Sequence, residues 1–329
     1  MENKIDVTAL GELLIDFTDN GLSAQGHTLF EANPGGAPCN VLAMLQKFGH
    51  STAFIGKVGD DIFGNMLKGT LEEVHIDTKN LILDKDVRTT LAFVKTFEDG
   101  DRDFSFYRNP GADMMLTEDE IDEELIRNSR IFHFGTLSMT HEGVRKATKK
   151  ALRVAKEAGC IISFDPNLRE PLWNSLEEAK EQVRYGLGFC DVLKISDNEI
   201  TWLTGEEDYS AGVKKIREEF DIPLIMVSMG KDGSRCYYKE RGSQGDGIMI
   251  EQAPFLQENT IETTGAGDTF GACVLHFVLK NGISGLSEEQ IKNMLIFANG
   301  AASIITTRKG ALRVMPEVSE VEAFCGAKA

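Results

Sequence analysis

Short apolar runs of strand length alternate with stretches of helical period along most of the chain. Ile5 to Leu10 reads as a buried strand, and Gly11 to Phe17 is expected to continue it, with Asp16 as an acid inside an apolar context. Asn33-Pro34-Gly35-Gly36-Ala37-Pro38-Cys39-Asn40 interrupts the pattern. Pro38 suits the first turn of a helix. Val41, Leu42, Leu45 and Phe48 then share one face, Gly49 reads as the stop, and Asn40 falls about one turn inside. Ser51 to Val58 is the next strand, and Gly59-Asp60-Asp61 leads into a helix. Thr89 to Phe97 and Asp103 to Tyr107 are β-rich, and the Asp-Gly in Glu98–Asp101 between them signals a hairpin. Arg108-Asn109-Pro110-Gly111-Ala112-Asp113 ends it.

From Thr117 the alternation is regular. Thr117 and Glu120 fit a capping box. Ile131 to Phe134 reads as a strand, and Val144, Ala147, Ala151, Ala155 and Ala158 mark a helix that stops at Gly159. Three strands follow, each running into a polar motif. Cys160 to Phe164 leads to Asp165-Pro166-Asn167-Leu168-Arg169, Val192 to Ile195 to Ser196-Asp197-Asn198-Glu199, and Leu224 to Val227 to Ser228-Met229-Gly230-Lys231-Asp232-Gly233. Ser287 and Gln290 begin a last long helix through Asn299 to Ala302. In a doubly wound α/β sheet, ligands bind off the carboxyl ends of the strands, which is where these motifs fall. No linker divides the chain. The expectation is one domain over 1–329, with segments of about 12–34 and 88–112 forming a small β-rich lid.

Composition narrows the function. Hydrophobic residues are 42% of the 329, enough for a large core. The net charge of −17, from 35 Lys+Arg against 52 Asp+Glu, argues against nucleic acid or an anionic membrane as partner. Six cysteines without a C-x-x-C pair fit a reducing cytoplasm rather than a disulfide framework or zinc site. The N-terminus has no signal-peptide core, and no apolar run reaches membrane-spanning length.

The densest chemistry is Glu262-Thr263-Thr264-Gly265-Ala266-Gly267-Asp268-Thr269-Phe270, followed by an apolar helix to Leu279. Residues with little side chain let amides approach a ligand, and the first turn of a helix has unpaired N–H groups that attract an anion such as phosphate. Asp268 at that mouth fits a proton acceptor for an attacking hydroxyl; the plainer alternative is an ordinary N-cap. Asp16 and Asn40 suit sugar hydroxyls. Arg108 is open to a second reading as a solvated edge-strand cation.

The order of these motifs, with GG-x-x-x-N near the start and TTGAGD late, resembles the ribokinase-like (PfkB) sugar kinases over Ile5 to about Pro316. The stretches Phe106 to Asp113 and Phe164 to Arg169 look most like the bacterial fructokinase branch. The resemblance implies a three-layer α/β/α sandwich and ATP-dependent phosphorylation of a primary hydroxyl, with D-fructose as the favoured acceptor. It implies Asp268 as general base and Gly265, Ala266 and Gly267 as anion hole. Asp16, Gly35, Gly36, Asn40, Arg108 and Arg169 would bind the sugar. Lys194, Ser228, Gly230, Gly233 and Asn299 would meet the nucleotide, and Glu199 would place Mg2+ through water. Glu262 stands where the family usually has Asp, beside a monovalent-cation (K+) site in many members, and Val314 replaces a polar residue there; both count against that site. The rival within the class is a 2-keto-3-deoxygluconate kinase gripping a carboxylate with Arg108 and Arg169, with ribokinase behind it. A non-catalytic sugar- or nucleotide-binding relative would show a damaged anion hole or missing base, and both are intact. A dinucleotide dehydrogenase lacks its G-x-G-x-x-G after the first strand. The chain is expected to act as a monomer or as a homodimer paired through the lid.

Overall fold

The computed structural model describes residues 4–96 and 102–328. Its main sheet starts with β1 (Ile5–Leu10), after which β2 (Leu14–Leu22) and β3 (Thr28–Gly35) leave it as a hairpin. The chain returns through α1 (Ala37–Lys47), β4 (Thr52–Gly59), α2 (Ile62–Glu73) and β5 (Asp77–Asp84). It leaves again for β6 (Leu91–Thr96) and β7 (Arg102–Tyr107). The second half runs α3 (Glu123–Arg127), β8 (Ser129–Gly135), α4 (Glu142–Glu157), β9 (Ile161–Asp165), α5 (Leu176–Leu187), β10 (Val192–Ser196), α6 (Asp197–Thr204), α7 (Tyr209–Glu219) and β11 (Leu224–Ser228). It closes with β12 (Ser234–Tyr238), β13 (Ile248–Gln252), α8 (Ala266–Asn281), α9 (Glu288–Ile305) and α10 (Val318–Lys328).

Among the described residues, nine strands form the main sheet in the order β13-β12-β11-β10-β9-β8-β1-β4-β5. From β11 to β5 every neighbouring pair is parallel, so the crossovers carry helices that cover both faces. One face packs Leu42 and Leu45 of α1 against Leu275 of α8 and Leu295 of α9. The other packs Ala151 of α4, Val183 of α5 and Val213 of α7 with Phe134 and Phe164, whose rings stack 4.4 Å apart. β4 is buried along its whole length, as a strand covered on both faces must be. The three-layer α/β/α expectation is met.

The second sheet has the order β3-β2-β6-β7. Phe17 stacks on Phe93 at 4.9 Å, and Phe93 meets Phe30 and Tyr107 edge-on, both at 5.3 Å, so aromatics supply the small core that four short strands lack. The expected Glu98–Asp101 turn lies outside the described residues.

Two expectations need correction, one is met on a smaller scale, and one feature is new. Gly11 to Phe17 does not continue β1. The strand ends at Leu10, and a Cβ on Gly11 would sit 2.5 Å from Pro38 Cγ, so the chain is pressed against the start of α1 and turns out of the sheet. The capping box at Thr117 and Glu120 is present, and it starts a single 3-10 turn, Glu118–Glu120. The helix begun by Ser287 is not the last, because α10 follows and packs on α9 through Val321 and Cys325. The antiparallel ribbon of β12 and β13 beyond β11 was not foreseen.

Candidate active site

The carboxyl ends of β1 and β10, the β2–β3 hairpin, and the starts of α1 and α8 enclose a cavity of about 400 Å3. Asp16, Gly35, Gly36, Asn40, Arg169, Lys194, Gly265, Gly267 and Asp268 all line it. Residues more than two hundred positions apart therefore meet in one place.

The start of α8 is the centre. Gly265 caps it with φ 76°, a left-handed geometry that favours glycine, and a Cβ there would lie 2.9 Å from Ala311 Cβ. The Ala266 amide donates to the Thr263 carbonyl at 3.2 Å and the Thr269 amide to Gly265 at 2.8 Å. Among the described residues the amides of Gly267 and Asp268 make no such turn bond and face the cavity as donors for an anion, while that of Ala266 is engaged in the turn. Gly267 lies under the Lys194 ammonium, whose Nζ would be 3.0 Å from any Cβ placed on it.

Asp268 is partly buried, and Asn40 Nδ2 donates to its Oδ2 at 2.8 Å. Burial raises the Asp268 carboxyl above its usual range, against the opposing pull of Asn40, Lys194 and Arg169. A raised carboxylate is the better proton acceptor. The other end of the Asn40 amide, Oδ1, is buried without a partner, which costs free energy unless a ligand donor meets it.

Lys194, from β10, pairs with Asp165 Oδ2 at 3.0 Å. Burial pushes the Asp165 carboxyl up to about 6, with Glu199 and Asp268 adding to the rise and Lys194 opposing it. Burial acts to lower the Lys194 ammonium, but Asp165, Glu199 and Asp268 outweigh it and raise the group. The pairing with Asp165 holds the Lys194 ammonium beside Gly267, at the start of α8.

Other expected residues stand further out. Glu199 accepts from the Ser196 amide and hydroxyl, each at 2.8 Å, and from the Leu168 amide at 2.7 Å, as the third residue of a capping box. It lines a second cavity of about 320 Å3 that shares Arg169 and Lys194 with the first. Ser228 ends β11; Gly230 and Gly233 turn the chain into β12 with φ of 53° and 93°. A Cβ on Gly233 would lie 2.2 Å from the Gln252 carbonyl. Asn299 is buried on α9 and donates to the Ser234 hydroxyl at 2.7 Å, next to that turn. None of these four lines the main cavity.

Arg108 is a correction. It is neither a solvated edge cation nor a wall residue of the cavity. Its guanidinium is buried against Asp113, at 2.6 and 2.8 Å, the Thr140 hydroxyl at 2.8 Å and the Leu137 carbonyl at 2.9 Å. That leaves it as a brace at the end of β7. Glu12 was overlooked: it is 4% exposed, lines the cavity, and burial pushes its carboxyl up to about 7. The signal was an acid next to Gly11 in an apolar run, the same signal that singled out Asp16. Glu262 lines the cavity too and accepts the Gly310 amide at 2.8 Å. No helix among the described residues is long and apolar enough to cross a membrane.

Comparison with known proteins adds to this geometry. Residues 4–318 match the pfkB family carbohydrate kinase model. The chain is 40% identical over 325 residues to a probable fructokinase-2 of Arabidopsis thaliana, covering 98% of this chain and 96% of that one. Among solved structures it resembles a fructokinase from Xylella fastidiosa with bound ATP, with a TM-score of 0.87, 28% identity and 98% coverage of both chains. It also resembles a fructokinase from Vibrio cholerae O395 in a fructose-, ADP- and calcium-bound form, with a TM-score of 0.84, 29% identity, and coverage of 98% of this chain and 100% of that one.

Proposed function

The chain belongs to the pfkB family of carbohydrate kinases, and from that premise we propose that it is an ATP-dependent fructokinase, converting D-fructose to D-fructose 6-phosphate. The observation that carries the reading is the Asn40–Asp268 hydrogen bond, which fixes a partly buried carboxylate at the helix start, where two amides and the Lys194 ammonium face the cavity. In this reading Asp268 takes the proton of the acceptor hydroxyl as that oxygen attacks the terminal phosphorus of ATP. The amides of Gly267 and Asp268 and the Lys194 ammonium meet the charge spread over the transferring group. Proton and phosphoryl group move in opposite directions across one oxygen, so the base and the anion site must adjoin, as they do.

Asp16, Asn40 and the Gly35-Gly36 backbone offer hydroxyl partners on the sugar side. Ser228, Gly230, Gly233 and Asn299 would flank the nucleotide. Mg2+ would neutralise phosphate charge; among the described residues no three His, Cys, Asp or Glu side chains could hold a metal, so Glu199 would act through water and the phosphates would supply direct ligands. Glu262, already holding the Gly310 amide, argues against a K+ site of the family type. The lid carries Leu22 and Tyr107 at 69% and 63% exposure, which supports a homodimer through this sheet.

The keto-acid alternative loses ground, because Arg108 is spent on Asp113 and only Arg169 remains at the cavity. A coupled ADP-release assay over hexoses, pentoses and 2-keto-3-deoxygluconate decides. Turnover of the keto acid with none of fructose overturns the assignment.

A further inference from the structure

The helix that carries Asn40 has an unusual beginning. Its cap is Gly36, which has no side chain to receive the first free amide, and Pro38 in the first turn has no amide at all. The Ala37 amide is satisfied instead from a distant part of the chain: it donates to Glu12 Oε1 at 2.9 Å. The contact is closely fitted. A Cβ on Gly36 would lie 2.4 Å from the Glu12 carbonyl oxygen, and one on Gly11 would lie 2.5 Å from Pro38 Cγ. Backbone and side chain at Gly11-Glu12 therefore clamp the first turn of α1, and Asn40 lies at the end of that turn with its amide on Asp268. Glu12 also lines the main cavity, and it lines a much smaller one behind it.

We propose that Glu12 is a positioning residue for the acceptor: it seats the start of α1, through it holds Asn40 against Asp268, and its carboxyl forms part of the wall on which the sugar rests. A buried carboxylate is costly beside a helix that serine or aspartate at the cap position would satisfy more simply. Glycine at position 36 keeps the backbone free for a ligand, and Glu12 restores the missing cap from the side. The charged and titratable groups around it are Arg108 and Asp113 at the end of the lid, Cys39 on α1, and His133 and Asp165 across the small cavity. Asp16, Arg169, Lys194, Glu262 and Asp268 surround the main one. Burial holds the carboxyl near 7, so it changes charge where enzymes are commonly assayed. Its ionised form accepts hydrogen bonds at both oxygens; the protonated form gives up one of them as a donor.

The inference rests on the fructokinase reading, and the test separates the two. Glu12→Ala is expected to raise the fructose KM roughly tenfold at pH 8, about 1.4 kcal/mol, with a smaller change in kcat. Glu12→Gln keeps an oxygen for the Ala37 amide and recovers most of that loss. The wild-type fructose KM rises only to the level of the Gln variant as pH falls through about 7, and the Gln variant shows no such rise. A KM for Glu12→Ala within about twofold of wild type, or a Gln variant that follows the wild-type pH profile, overturns the proposal. If the wild type does not turn fructose over, the substrate reading fails, and a crystal structure of Glu12→Ala then decides the role of Glu12. Displacement of the Asn40 amide from Asp268 supports it; an unmoved first turn and an intact Asn40–Asp268 bond overturn it.

Discussion

Replacing Asp268 by Asn tests the proton-transfer step with little disturbance to shape. The new amide can turn its oxygen toward Asn40 Nδ2, so the 2.8 Å hydrogen bond that fixes the native side chain has a counterpart. The amides of Gly267 and residue 268 and the Lys194–Asp165 pair remain in place. What disappears is basicity. A positioned general base contributes roughly 10²–10⁴ in rate, or about 2.7–5.4 kcal/mol at 1.36 kcal/mol per tenfold. Steady-state kinetics should show kcat reduced by that factor while the fructose KM stays near the native value. Stability supplies an independent sign. Burial raises the folded-state pKa of Asp268 above the unfolded value near 3.8, so the folded chain holds this proton more tightly. Keeping the carboxylate charged in the fold therefore costs stability at pH 8. That cost fades as pH falls through the folded value and is gone below the unfolded one. The variant should melt higher than the native protein at pH 8 and lose the advantage toward pH 4. A kcat within about tenfold of native, or a variant that melts lower at pH 8, would refute the reasoning.

Three further outcomes follow from the geometry. Gly267→Ala puts a methyl 3.0 Å from Lys194 Nζ, so kcat should fall by more than tenfold with circular dichroism unchanged, and native kcat would sever Lys194 from the reaction. Asp113→Ala leaves the Arg108 charge buried without its partner and should cost about 3–5 kcal/mol in urea unfolding; a cost below about 1 kcal/mol would show that the guanidinium is solvated after all. His276 stacks on Phe48, and its Nδ1 lies 2.8 Å from His50 Nε2. Burial lowers both rings, His276 to about 4, so the unfolded chain takes up protons first and stability should drain away between pH 6.5 and 4. A His276→Phe variant should have a flatter melting profile over that window, and a profile parallel to the native one would exclude the pair as its cause.

What the sequence made legible was local. Gly49 and Gly159 as helix stops, and the Ser287–Gln290 capping box, depend on residues within a turn of one another, and each stands where expected. The parallel strands announced themselves as apolar runs ending in polar motifs. What escaped the sequence depended on distant partners. Nothing near Gly11 shows that Pro38 will press on it and turn the chain out of the main sheet. Arg108 looked available because Thr140 and Leu137, which take its hydrogens, lie beyond the next strand. The anion site was visible as Gly-Ala-Gly-Asp, but the consumption of the Ala266 amide by the Thr263 carbonyl is a property of the folded turn.

The β2–β3 hairpin departs from the main sheet at Gly11–Leu13 and rejoins it at Gly35-Gly36, and both junctions lie at the cavity. Its two junctions are therefore also part of the cavity's floor. A graft that exchanged this hairpin between relatives to retune sugar preference would carry the pocket's foundations with it, and a substitution at either junction should alter the grip on the sugar along with the hairpin's seating.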